Sequence, residues 1–226
     1  MIQSGALAIR PVAGRLAVSL VVSVGLVLVA ARLGAPIWLL GTLGLVPWLP
    51  SVAGLVVATW RGAGAWFALY VVLALTQSGH VMEHVAQVTQ LRILGLSGEH
   101  AHGVFGALDI EWVHFAWNAW VLIAVVALLM GSQRNGWLWI AAPLAAWHLL
   151  EHTVLIVIYL VTGMEGNPGI LAMGGLLADG LPLARPELHL VYNLVETAPL
   201  LIGLGVAWRR GPAPSRTGGD ARSRSP

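Results

Sequence analysis

Residues 66–90 read WFALYVVLALTQSGHVMEHVAQVTQ. An uncharged apolar run from Trp66 to Thr76 passes into a segment that carries Gln77, His80, Glu83, His84 and Gln87 at three-to-four-residue spacing. That spacing puts them on one side of a helix. About 20 predominantly apolar residues cross a bilayer, so this stretch predicts a membrane-spanning helix with a polar stripe toward one end.

The rest of the chain agrees. Of 226 residues, 58% are hydrophobic and 10% charged, and the mean hydropathy is +0.80. Ordinary soluble domains carry about 25% charged residues. Apolar runs at 16–33, 37–60, 66–90, 111–130, 137–161 and 188–208 predict six spans within one all-α domain, residues 1–210. Pro47 and Pro50 predict a kink or break in the second span. Basic residues before the first span and small residues after it leave open that this segment is a cleaved signal peptide. Residues 211–226, rich in Pro, Gly, Ser and Arg without apolar periodicity, predict a disordered cytoplasmic tail.

All twelve basic residues are arginine, and there is no cysteine. Disulfides, iron–sulfur clusters and thiolate metal sites are therefore excluded. The basic residues flank the spans and do not interleave with surface aromatics, so nucleic acid is not an expected partner; the lipid bilayer is. With both termini cytoplasmic, the inner side holds Arg10, Arg15, Arg61, Arg134, Arg209, Arg210, Arg216, Arg222 and Arg224, and the outer side holds Arg32, Arg92 and Arg185. This is the positive-inside bias of a multi-pass cell-membrane protein. Two long outer loops, 91–110 and 162–187, are rich in Gly, Ala and Leu, as expected of segments that lie at the interface or fold over the outer face.

The fifth span repeats the polar signature of the third. His80, Glu83 and His84 form one H-x-x-E-H, and His148, Glu151 and His152 form another. The span after each also matches: Glu111, His114 and Asn118 open the fourth, while Glu187, His189 and Asn193 open the sixth, followed by Glu196. A hairpin duplicated in tandem is expected, with spans 3–4 and 5–6 forming a four-helix bundle related by an axis along the membrane normal.

At 1.5 Å per residue, His84 lies roughly 8 Å, His80 and His152 roughly 13 Å, His114 roughly 5 Å and Glu196 roughly 12 Å from the outer helix ends. Four spans thus aim polar groups at one band. A carboxylate at the bilayer centre costs about 2.5–3.5 kcal/mol on insertion scales, and no Arg lies within the cores of the six spans to pair with Glu83, Glu151 or Glu196.

Imidazole and carboxylate without thiolate suit iron, copper or zinc. The expected metal ligands are His80, Glu83, His84, His114, His148, Glu151, His152 and His189, enough for a dinuclear centre, with Glu196 or Tyr192 handling protons. Trp117, Trp120 and Trp147 lie deep enough to line the site; His100 and His102 read as loop histidines. The competing structural reading is a hydrogen-bonded polar core that holds the helices together.

H-x-x-E-H is also the inverted zinc-protease motif, but here it occurs twice, in spanning helices, without a soluble catalytic domain. The H-x-x-x-H elements His80/His84 and His148/His152 resemble the histidine boxes of membrane desaturases and hydroxylases. That resemblance implies di-iron. The H-x-x-H-H box of those families is missing, and their metals lie on the cytosolic side, so the family is not carried over. The expected function is a membrane oxidoreductase acting on a lipophilic small molecule. The alternatives are a divalent metal-ion transporter, a haem b electron carrier with paired axial histidines, and a non-catalytic membrane module.

Overall fold

The structure, a computed structural model, describes residues 9–98, 100–131 and 134–210. The expected tail at 211–226 lies outside them. The described chain is helical: α1 (Ile9–Arg32), α2 (Ile37–Leu45), a 3-10 turn (Val46–Trp48), α3 (Leu49–Ala63), α4 (Ala65–Arg92), α5 (Glu111–Gly131), α6 (Gly136–Thr162) and α7 (Arg185–Arg210), with a further 3-10 turn at Gly106–Leu108.

Six helical stretches are long and apolar enough to cross a membrane, with mean hydropathies of 1.3 to 2.2; α2, the 3-10 turn and α3 together make the second. The break in that stretch falls at Pro47 and Pro50, as their missing N–H groups demand. There Ser23 Oγ donates to the Gly44 carbonyl and Ser19 Oγ to the Pro47 carbonyl, both at 2.8 Å, which ties α1 to the broken helix. Gly163, in the left-handed conformation (φ 70°), ends α6, and the Asn135 side chain caps its start by accepting from the Trp137 N–H.

The surface is inverted relative to a soluble protein. Val21, Val29, Leu33, Ile123, Met130, Leu160 and Val161 are all exposed, whereas His84, His148, Glu151, His152, Asn193 and Glu196 are buried. So much exposed apolar surface is unfavourable in water and compatible with a lipid bilayer.

α4 packs against α5 and α7, and α6 packs against α5 and α7, while α3 lies against α4 from outside. The space enclosed divides in two along its length. Toward the α5–α6 turn it is filled by Leu73, Val121, Val125, Leu128, Leu138 and Leu200, all at most 2% exposed. Toward the end carrying loops 93–110 and 163–184 it is filled by histidines.

Candidate metal centre

α4 and α6 each contribute an i, i+4 histidine pair to this enclosed space, and α5 and α7 each contribute one histidine from the first turn or so. They assemble as two triads, His80/His84/His114 and His148/His152/His189, in each of which the ligand atoms lie within 4.8 Å of one another. Within the first, the Nε2 atoms of His80 and His84 are 3.3 Å apart. Two nitrogens bound about 2.0–2.1 Å from one tetrahedral ion stand about 3.3–3.4 Å apart, so this pair already has ligand spacing. The triads adjoin. The rings of His114 and His152 stack at 5.5 Å with 10° between planes, and His84 and His189 meet at 5.8 Å.

The opposite nitrogens of several rings are held from outside. His84 Nδ1 is 2.6 Å from Gln87 Oε1, His114 Nδ1 is 3.1 Å from the Ile110 carbonyl, and His148 Nδ1 is 2.8 Å from Glu196 Oε2. Each acceptor fixes the proton on Nδ1 and leaves the Nε2 lone pair free for the triad. Buried polar atoms are normally paired. Yet His148 Nε2 and both ring nitrogens of His152 are buried without a hydrogen-bond partner among the described residues. A metal ion would satisfy His148 Nε2 and one of the two His152 nitrogens, and the donor set fits one.

Aromatic rings back the cluster: Trp117 stacks on His80 at 5.0 Å while its Nε1–H donates to Gln77 Oε1, and Tyr192 lies 5.3 Å from His148 and 6.2 Å from His189. Gln77 in turn donates to Asn193 Oδ1, and Asn118 and Asn193 each donate to the carbonyl of the histidine four residues earlier.

The structure brings all six helical histidines together, and engages one oxygen of each H-x-x-E-H glutamate with a loop, while Glu151 Oε2 is buried without a hydrogen-bond partner among the described residues. Glu83 Oε1 accepts the Phe105 N–H and Glu151 Oε1 accepts the Ile170 N–H, both at 2.7 Å. Neither belongs to a triad. They tie the two loops down beside the histidines. Gly103 (φ +80°) and Gly169 (φ +74°) make room for this, since a Cβ at either would strike the carboxylate. Glu196 lies against His148, and Tyr192 against the rings of the second triad. The loop histidines stay apart: His100 bonds Ser97 Oγ, and His102 bonds Asp109 Oδ2.

Sequence reasoning passed over Asp109, whose Oδ1 is 3.7 Å from His114 Nε2, and the backing role of Gln87; the stripe of α4 signalled Gln87, whereas nothing local signalled Asp109. It also missed the clamps at the loop end. Arg185 grips Glu111 with two bonds of 2.6 and 2.8 Å, and Arg92 Nε bonds Glu187 at 2.7 Å. A cavity of about 950 Å³ opens at this end, lined by residues that include Asp109, Glu111, Glu165, Arg185 and His189.

Fold and site together define a membrane-compatible helical protein with two histidine triads, each of which could hold a metal ion. No family model, no curated protein and no solved structure matches the chain.

Proposed function

We propose that this chain is a multi-pass membrane metalloprotein whose two triads hold a pair of transition-metal ions, and that the pair performs oxidation–reduction on a lipophilic small molecule. The observation that carries the metal reading is the convergence of six imidazoles, five of them buried, in which inward nitrogens of His148 and His152 have no hydrogen-bond partner among the described residues while Nδ1 of His84, His114 and His148 is tethered from outside. An interhelical polar network would use those inward nitrogens in hydrogen bonds. Three imidazoles per ion leave a coordination position open for a reactant, and nitrogen-only ligation suits copper, iron or zinc, of which the first two are redox-active.

A tandem duplication of the α4–α5 hairpin as α6–α7, closing as a four-helix bundle, accounts for the matched parts. Each half supplies a histidine pair and a third histidine, a glutamate on a loop N–H after a left-handed glycine, and an asparagine bonded four residues back. The arginine distribution supports a cell-membrane location with both termini cytoplasmic and the triads in the outer half.

Transport of divalent ions has less support, because the enclosed space beyond the triads is packed mainly with Leu, Val and Ala and its buried cluster contains no imidazole or carboxylate. Haem has less support as well: histidine rings 4.8 to 6.4 Å apart across helices fill the space a macrocycle would need. The test is elemental analysis of the detergent-purified chain together with its absorption and paramagnetic resonance spectra under dithionite and under air. Copper or iron that cycles between two states is expected. Zinc alone, with no redox-active metal, contradicts the redox assignment.

A further inference from the structure

The two triads are matched in their ligands and differ in what stands behind them. Glu196 Oε2 bonds His148 Nδ1 at 2.8 Å with both side chains 1% exposed. An anionic acceptor on Nδ1 makes the imidazole a stronger donor through Nε2, and such outer partners are worth about 10- to 100-fold in metal affinity. It also places a negative charge beside a dication at two buried side chains, where the attraction is screened less than at a surface.

The first triad has no equivalent. Aligning His114 with His189 puts Val121 at the position of Glu196, and Val121 is fully buried in the apolar core. Its rings are backed by neutral groups, the Gln87 amide oxygen and the Ile110 carbonyl. Gln87 in turn has Leu155 as its counterpart when His84 is aligned with His152.

Two other charges stand near. Asp109 approaches His114, but it is partly solvent-exposed and bonded to His102, so its field is screened. Arg185, at the head of α7, is neutralised by its two bonds to Glu111.

We infer that the triads are unequal metal sites: His148/His152/His189, backed by the Glu196 carboxylate, fills first and holds its ion more tightly, while His80/His84/His114, backed by neutral Gln87, is the labile site. This rests on the metal reading above. Glu196 is a positioning residue in it, acting through His148.

The experiment is a cobalt(II) titration of the full chain in detergent, stripped with chelator and followed by absorption against a competing chelator. Two steps separated by about 10- to 100-fold are expected, the tight one missing in His152→Ala and the weak one missing in His84→Ala. Glu196→Gln weakens the tight step, Gln87→Glu strengthens the weak one, and the double exchange reverses the order of the sites. If Glu196→Gln does not fold, Gln87→Glu alone decides, since only a charge effect strengthens the weak step. Two ions bound with equal affinity, or a weak step unmoved by Gln87→Glu, overturn the inequality and leave the metal reading standing. A chain that takes up no cobalt overturns both.

Discussion

The Nε2 atoms of His80 and His84 face each other 3.3 Å apart, one helical turn from one another on α4. At that distance the pair either shares a proton, one Nε2–H donating to the other ring, or bonds a common ion. X-ray absorption of the metal-loaded chain is therefore expected to show nitrogen scatterers at about 2.0–2.1 Å and no sulfur. A first coordination sphere made only of oxygen would place the ion outside the triads.

Glu83 and Glu151 act on loops in this account. Replacing either with alanine removes a charge-assisted hydrogen bond, worth about 1.5–3 kcal/mol, and frees the segment around Phe105 or Ile170. Faster amide exchange in 103–106 or 169–171 is expected, with metal content unchanged. Loss of an ion in Glu83→Ala or Glu151→Ala would make these carboxylates ligands instead.

Gly169 has a positive φ and its missing Cβ leaves room for the Glu151 carboxylate. Gly169→Ala is expected to destabilise the chain by about 1–2 kcal/mol from the backbone alone, and to loosen the same loop. Gly136, at the start of α6, has nothing within 4 Å of an added Cβ. Gly136→Ala should leave the melting temperature level or raise it, and equal effects at the two positions would remove the steric argument.

Arg185 and Glu111 join the starts of α7 and α5 through a two-bonded pair that is mostly buried on the Glu111 side. Arg185→Met strands that carboxylate at a cost on the order of 2 kcal/mol, read as a lowered melting temperature in detergent. Adding Glu111→Gln should recover part of the loss. A double variant as unstable as the sum of the singles would show that the two side chains do not interact.

Much of this arrangement is legible in the sequence because helical periodicity is a strong signal. His80/His84 and His148/His152 share faces by spacing alone, and the matching His114 and His189 follow from the repeated pattern, so every histidine of the two triads can be named before the fold is known. The broken second span follows from Pro47 and Pro50. The glutamates are harder. A residue at i+3 sits about 60° around the helix from the residue at i, which puts Glu83 and Glu151 on the flank of the histidine stripe. Periodicity does not say whether an ion or a loop N–H meets them there. The loops have no period at all. Only Gly103 and Gly169 hint at their turns, and the pairing of Arg185 with Glu111 spans 74 residues of sequence, a distance local pattern cannot bridge.

The account turns on metal in the triads, and the most direct test counts it. The full-length chain, purified in detergent from cells supplied with iron, copper and zinc, is assayed for metal per polypeptide alongside His84→Ala, His152→Ala and the double variant. Two ions per chain are expected in the parent, one in each single variant and none in the double. A parent protein that carries no metal, or a metal content the histidine replacements do not change, contradicts it.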